Sequence, residues 1–176
     1  MIKGKKVVLR ALEKEDIENC WRWINDPEIT EGLAMIFPVS KYEEEKWYEN
    51  TVGDDKNKIF AIEADSTYIG NIGLHEIDWV NRKAELGIMI GEKESQGKGY
   101  GTDAIKTLLR YAFTKMNLHK IQLRAFEYNK KAIQCYKKCG FNEEGVMRED
   151  VFRNGTYHST IFMSILRSEF IEDEKV

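Results

Sequence analysis

The segment Gln96-Gly97-Lys98-Gly99-Tyr100-Gly101-Thr102 constrains the fold of this chain most, because it joins two patterns of different period. Before it, Glu85 to Ile90 is a short, largely apolar run of strand length. After it, Ala104, Ile105, Leu108, Leu109, Ala112, Phe113 and Met116 fall on one helical stripe. Glycines allow close approach of a ligand to the backbone, and the first amides of a helix lack intrahelical acceptors at the positive end of its dipole. Such a turn is either an anion cradle, best suited to phosphate, or a flexible strand-to-helix joint. Two common nucleotide motifs are excluded by spacing. Gly91 is one residue too far from Gly97 for a Walker loop, and Lys98 is followed by Gly99. A dinucleotide fingerprint starting at Gly97 would need glycine at 102, where the chain has Thr102.

Around this joint the elements alternate in a definite order. Val7 to Arg10 is predicted as a strand. A helix introduced by Glu13 to Asp16 carries Ile17, Cys20, Trp21 and Ile24 and is stopped at Asn25-Asp26-Pro27. Ser40-x-x-Glu43 is a capping box opening a second helix through Trp47 and Tyr48 to Val52. Three period-two runs follow, Ile59 to Ala64, Tyr68 to Ile77 and Ala84 to Ile90, and predict an antiparallel meander. Beyond the glycine loop and its helix come a strand at Ile121 to Phe126 and a helix capped by Asn129, with Ala132, Ile133 and Tyr136 inward. Gly140-Phe141 has the form of a Schellman stop. Gly145 to Phe152 and Tyr157 to Leu166 flank Asn154-Gly155, a hairpin signal. The order β-α-α-β-β-β-α-β-α-β-β predicts one α+β domain over 1–170 and a short charged tail at 171–176.

Composition narrows the function classes. A chain of 176 residues with 42% hydrophobic and 32% charged residues has enough apolar material for one core. Twenty-seven basic against thirty acidic residues give a net charge of −3, so no global positive field attracts nucleic acid. No window approaches 18 apolar residues, which argues against a membrane helix, and the basic start Lys3 to Lys6 lacks the apolar run of a signal peptide. A cytoplasmic protein is the expectation. Cys20, Cys135 and Cys139 form no C-x-x-C pair, and His75, His119 and His158 are scattered, so no metal is expected. Cys135 and Cys139, four apart, share a helix face and are read as small buried side chains.

Gln96-x-x-Gly99-x-Gly101 after Glu85-Leu86-Gly87-Ile88-Met89-Ile90, followed by Asn129-x-x-Ala132-x-x-x-Tyr136-x-x-x-Gly140-Phe141, resembles the GNAT superfamily of acetyl-CoA-dependent N-acetyltransferases. From Tyr68 to Leu166 the chain looks most like the RimJ/RimL branch. Within that branch it resembles spermidine N-acetyltransferases of the SpeG type, notably at Arg82-Lys83-Ala84-Glu85, Gln96-Gly97-Lys98-Gly99 and Lys130-Lys131-Ala132-Ile133. The N-terminal third, expected to shape the acceptor pocket, resembles the branch only in general features such as Trp23-Ile24-Asn25-Asp26-Pro27. The resemblance implies a mixed, mostly antiparallel sheet of six to seven strands flanked by about four helices, splayed between the fourth and fifth strands.

It also implies roles. The pyrophosphate of acetyl-CoA would rest on the amides from Gly97 to Thr102, including Lys98, Gly99, Tyr100 and Gly101, with Gln96 at the border. Pantetheine would pair with the backbone of Ile88, Met89 and Ile90, and Asn129 would hold a pantetheine amide or simply cap its helix. Tyr136 matches the family's general acid. Glu76 and Glu85 match acidic positions that bind a cationic acceptor or, through water, help remove its proton; each also reads as an ordinary solvated carboxylate. An amine of pKa about 10.4 costs roughly 4.6 kcal/mol to deprotonate at pH 7, against roughly 1 kcal/mol for an α-amine, so this help matters most for polyamines. Direct attack needs no nucleophilic cysteine. The acceptor is expected to be a polyamine or other small amine. Protein N-termini, amino sugars or aminoglycosides, and an inactive CoA-binding regulatory module are the alternatives, and a homo-oligomer is compatible with the resemblance.

Overall fold

A computed structural model describes residues 1–171, so the tail expected at 171–176 falls, from residue 172 on, outside the described residues. Eight strands form one sheet: β1 (Ile2–Lys3), β2 (Val8–Ala11), β3 (Lys58–Ala64), β4 (Thr67–Asp78), β5 (Lys83–Ile90), β6 (Lys120–Phe126), β7 (Asn142–Arg153) and β8 (Thr156–Leu166). Their order is β1-β2-β3-β4-β5-β6-β8-β7, and every pairing is antiparallel except β5 with β6. Among the described residues five α-helices accompany them: α1 (Ile17–Ile24), α2 (Pro27–Thr30), α3 (Lys41–Thr51), α4 (Tyr100–Thr114) and α5 (Lys130–Lys138).

The strand count exceeds the expected six to seven because Ile2–Lys3 folds back on Val8 and Leu9 through a turn closed by the Gly4 N–H to Val7 O bond (2.8 Å). Two residues are too few to show a period. The helix count rises from four to five because Pro27 also starts an element. Asp26 caps it, accepting from the Glu28 N–H (3.0 Å), and proline at N1 loses no helical bond. Other terminators behave as their residues dictate. Ser40 and Glu43 exchange capping bonds, and α5 ends in a Schellman motif with Gly140 at φ +96°, its bonds running from Gly140 N–H to Lys137 O and Phe141 N–H to Tyr136 O. Asn154 and Gly155 both take positive φ, the requirement of a type I′ turn.

The core packs α4 and α5 against the sheet through Ile105, Leu108, Leu109, Phe113 and Ile133, facing Leu9, Ile62, Ile72, Leu74, Leu123 and Ile165. Elsewhere α1 meets β4, where Trp23 stacks on Tyr68 with centroids 4.8 Å apart and Cys20 lies 2.9 Å from the Tyr68 hydroxyl. One break matters for function. β5 and β6 pair only at Lys83–Lys120, Ala84–Ile121 and Glu85–Gln122. From Leu86 to Ile90 and from Leu123 to Phe126 no ladder crosses between them, so the expected splay is present.

Candidate active site

The glycine loop lies at the end of that gap. After Ile90 the chain makes a 3-10 turn at 93–95, and the Gln96 side-chain amide donates to Ile90 O (3.0 Å), tying the loop to the strand it leaves. Gly97 and Gly99 hold φ of +77° and +84°, the left-handed region that glycine enters without strain. A Cβ at Gly97 would meet nothing within 4 Å, so the loop surface is open there. The first helical bond of α4 runs from Asp103 N–H to Gly99 O (3.1 Å), leaving the amides of Tyr100, Gly101 and Thr102 without intrahelical acceptors. These donors, at the positive end of a fifteen-residue helix, fit a phosphate.

A cation that spacing alone does not bring here joins them. The Asp103 carboxylate accepts from the backbone N–H of Lys5, Lys6 and Val7 (3.2, 2.7 and 3.0 Å), which docks the β1–β2 turn beside the loop. Lys6 Nζ then donates to Lys98 O (3.1 Å) and lies 3.2 Å from where a Gly99 Cβ would be. Two loop side chains are used locally. The Tyr100 hydroxyl donates to Asp65 (3.1 Å), and Thr102 Oγ1 lies 3.3 Å from Cys135 Sγ on α5.

On the gap itself, Ile88, Met89 and Ile90 are paired through β4 with Ile72, Asn71 and Gly70, and their other side faces the splay. Asn129 caps α5, accepting from Ala132 N–H (3.2 Å), and its side-chain amide abuts Gly32, where an added Cβ would come within 2.4 Å of Asn129 Nδ2. The Tyr128 hydroxyl donates to Glu31 O (2.9 Å), so the N-terminal third closes over the start of α5. Tyr136 is 9% exposed and edge-to-face with Phe141. Burial first, then the negative influence of Cys135 and Cys139, pushes its phenol up to about 12, and the hydroxyl has no hydrogen-bond partner among the described residues. It is a protonated donor at neutral pH.

The two carboxylates differ. Glu85 is held by Arg124 through two bonds, Nε–Oε1 2.9 Å and Nη2–Oε2 3.1 Å. Its side chain is 19% exposed, whereas that of Arg124 is 51% exposed. Glu85, with Glu76 and Asp150 beyond it, raises the guanidinium pKa. Glu76 stands at φ +49° in the irregularity between His75 and Asp78 and is exposed. His75, opposite Glu85 in the register, is kept below the usual histidine range by burial, and it borders an open cavity of about 510 Å³ with Trp47, Lys46 and Asp54. Arg124 escaped the sequence reading because only the parallel β5–β6 register brings it to Glu85; its outward parity with Gln122 was the available signal.

Comparisons with known proteins give the family and the fold. The model of the family described as "Acetyltransferase (GNAT) domain" matches residues 6–142. The chain is 36% identical over 173 residues to a spermidine N(1)-acetyltransferase of Vibrio cholerae, covering 96% of this chain and 97% of that protein. It is 32% identical over 179 residues to a putative ribosomal N-acetyltransferase, YdaF, of Bacillus subtilis, covering 98% and 97%. Its fold superposes with a TM-score of 0.89 on the crystal structure of spermidine N-acetyltransferase from Vibrio cholerae in complex with CoA and spermine, at 36% identity and covering 94% and 98%.

Proposed function

The chain belongs to the GNAT family of acetyltransferases, and from that premise we propose that it moves the acetyl group of acetyl-CoA onto a primary amine of a polyamine. The observation that carries this is the unpaired gap between β5 and β6, with amide donors and Lys6 at one end and the carboxylates of Glu85 and Glu76 at the other. Acetyl-CoA supplies the activated thioester. The amides from Gly97 to Thr102, with Lys6, hold its pyrophosphate, and Gln96 keeps their loop on the end of β5. The open backbone of Ile88 to Ile90 pairs with the pantetheine arm, and an N–H there faces the thioester oxygen as charge develops on it. Asn129 keeps the start of α5 in place at the arm's flank.

The acceptor enters over the carboxylates. Glu85 or Glu76 binds its ammonium and, through water, takes the proton that must leave before attack. Tyr136 then delivers its proton to the departing thiolate, which is a fair leaving group that still gains from protonation. Holding amine and thioester together accounts for most of the acceleration, at effective molarities of about 10⁵–10⁸ M. A polyamine is favoured by the likeness to spermidine N(1)-acetyltransferases and by the surplus of carboxylates around Arg124. The second reading, acetylation of protein N-termini, is favoured by the likeness to YdaF.

Thiol release from acetyl-CoA, measured over spermidine, amino acids, aminoglycosides and peptides starting with Ser or Ala, decides between them. Spermidine is expected to turn over fastest. Turnover confined to the peptides selects the second reading, and binding of acetyl-CoA without release in any reaction leaves an inactive CoA-binding module.

A further inference from the structure

His75 lies between two places that amine acetylation has to connect, an acceptor carboxylate and open solvent. On β4 it stands opposite Glu85 in the register, and it is partly exposed at the open cavity of about 510 Å³ that Trp47 and Asp54 also line. Two glycines direct its ring. Gly73 and Gly87 are paired across β4 and β5, on the same face as His75 and Glu85. A Cβ at Gly87 would stand 3.1 Å from His75 Nε2, and one at Gly73 would stand 3.2 Å from it. The imidazole therefore lies along the sheet in space that the missing side chains leave, with Nε2 beside the residue that precedes Ile88. Among the described residues neither ring nitrogen has a hydrogen-bond partner.

The charges that face the ring come from three elements. Glu85, itself held by Arg124, is on β5, Glu76 is on β4, and Glu43, Lys46 and Asp54 reach the cavity from α3 and the segment after it. Burial outweighs the two strand carboxylates and keeps the imidazole below the usual histidine range, so it is neutral at pH 7.

We propose that His75 is the proton-relay residue of the transfer, receiving through water the proton that leaves the acceptor ammonium at the carboxylates and passing it to solvent in the cavity. This rests on the reading of the chain as an acetyltransferase that takes a polyamine beside Glu85. Glu85 already accepts two bonds from Arg124 and makes a poor resting place for a proton. A free imidazole suits that task better, because imidazole titrates at about 6.5 and a glutamate at about 4.3, so the ring takes up and returns a proton closer to neutrality.

The nitrogen gives up two protons in all. The first passes from the ammonium through water to the imidazole, which becomes imidazolium, and frees the lone pair that attacks the thioester carbon. The C–N bond forms, the C–S bond breaks, and the thiolate takes the proton of Tyr136. The second proton leaves the nitrogen as the amide forms and, through water, restores the Tyr136 hydroxyl. The imidazolium discharges the first into the cavity, so the products are the amide, the CoA thiol and one proton in solvent.

The test follows thiol release from acetyl-CoA with spermidine as a function of pH, for the unsubstituted chain and for His75→Gln. In the unsubstituted chain kcat/KM should fall as pH drops through a break below about 6.5, where the ring becomes charged, and level off above it. His75→Gln should lose about tenfold or more at pH 7 and recover as pH rises towards the amine's own pKa of about 10.4, where solvent has already removed the proton. Acetyl-CoA affinity in calorimetry should be unchanged, which separates the effect from a damaged fold. An unsubstituted profile without that break overturns the proposal and needs no variant. A His75→Gln loss that is equal at pH 7 and pH 9.5 also overturns it, since a merely structural role lowers the rate at every pH. No thiol release with spermidine from the unsubstituted chain overturns the polyamine reading and the relay with it, whereas turnover with either of those profiles overturns the relay alone.

Discussion

On the proposed mechanism, replacing Tyr136 and replacing Arg124 are expected to separate chemistry from binding. Tyr136 fills a buried position with its ring, so Tyr136→Phe keeps the packing against Phe141 and removes only the hydroxyl. A general acid contributes about 10²–10⁴-fold. We expect kcat to fall by about 100-fold or more with acetyl-CoA affinity unchanged in calorimetry, and an unchanged kcat would remove Tyr136 from the mechanism. Arg124 predicts the opposite split. Its guanidinium occupies the carboxylate a cationic acceptor would use, and half-exposed ion pairs of this kind are worth about 0.2–1 kcal/mol. Arg124→Ala should therefore lower KM for spermidine a few-fold with kcat nearly constant, while Arg124→Lys stays near the parent. A raised KM in initial-rate measurements would assign Arg124 to acceptor binding instead. Tyr136 and Asn129 can be picked as candidates from the sequence because both sit inside one spaced motif on α5 and its cap. Arg124 cannot, since its meaning depends on which strand lies beside β6.

At the scale of elements, caps and turn residues carried most of the legible information. Ser40-Glu43, Gly140-Phe141 and Asn154-Gly155 each have a local chemistry that the structure reproduces bond for bond. Elements of only two to four residues were less visible. The two-residue β1 exists because it pairs with β2, and α2 because Asp26 and Pro27 restart a helix where α1 ends. α3 also holds a feature that its polar sequence hides. Glu44 is buried, and desolvation raises its pKa. The sign is then determined. A carboxylate whose folded pKa lies above its unfolded value favours folding below the unfolded pKa, near 4.5, and that contribution is lost as pH rises through the folded pKa. Above the folded pKa the native state holds the charge at a desolvation cost that the unfolded chain does not bear. Glu44→Gln should raise Tm at pH 7, on a scale of about 2–4 °C per kcal/mol, with the gain fading towards pH 4. Thermal melts at the two pH values check it; an equal gain at both would mean that charge is not the cause.

Across the whole molecule, the glycine-loop end of the gap is assembled from residues nearly a hundred positions apart. Periodicity found the strands and the helix of the loop, yet it contains no information on where the first seven residues return, because Gly4-Lys5-Lys6-Val7 has no period to read. Asp103 supplies the missing link. Placed in the first turn of α4, it gathers three backbone N–H groups of the β1–β2 turn, and the Lys6 ammonium reaches the Lys98 carbonyl as a result. One carboxylate thus serves both the fold and the site, and two substitutions separate the functions. Asp103→Ala leaves those donors without their charged acceptor, a loss of about 1.5–3 kcal/mol, and also frees Lys6 from the loop. Lys6→Met leaves the docked turn intact and removes only the charge beside the phosphates. We expect Asp103→Ala to lower both Tm and acetyl-CoA affinity. Lys6→Met should lower affinity several-fold at low salt, with the difference shrinking as ionic strength rises and Tm unchanged. A Lys6→Met chain that binds acetyl-CoA normally at low salt would confine Lys6 to a structural role and leave the backbone amides of α4 as the sole phosphate donors.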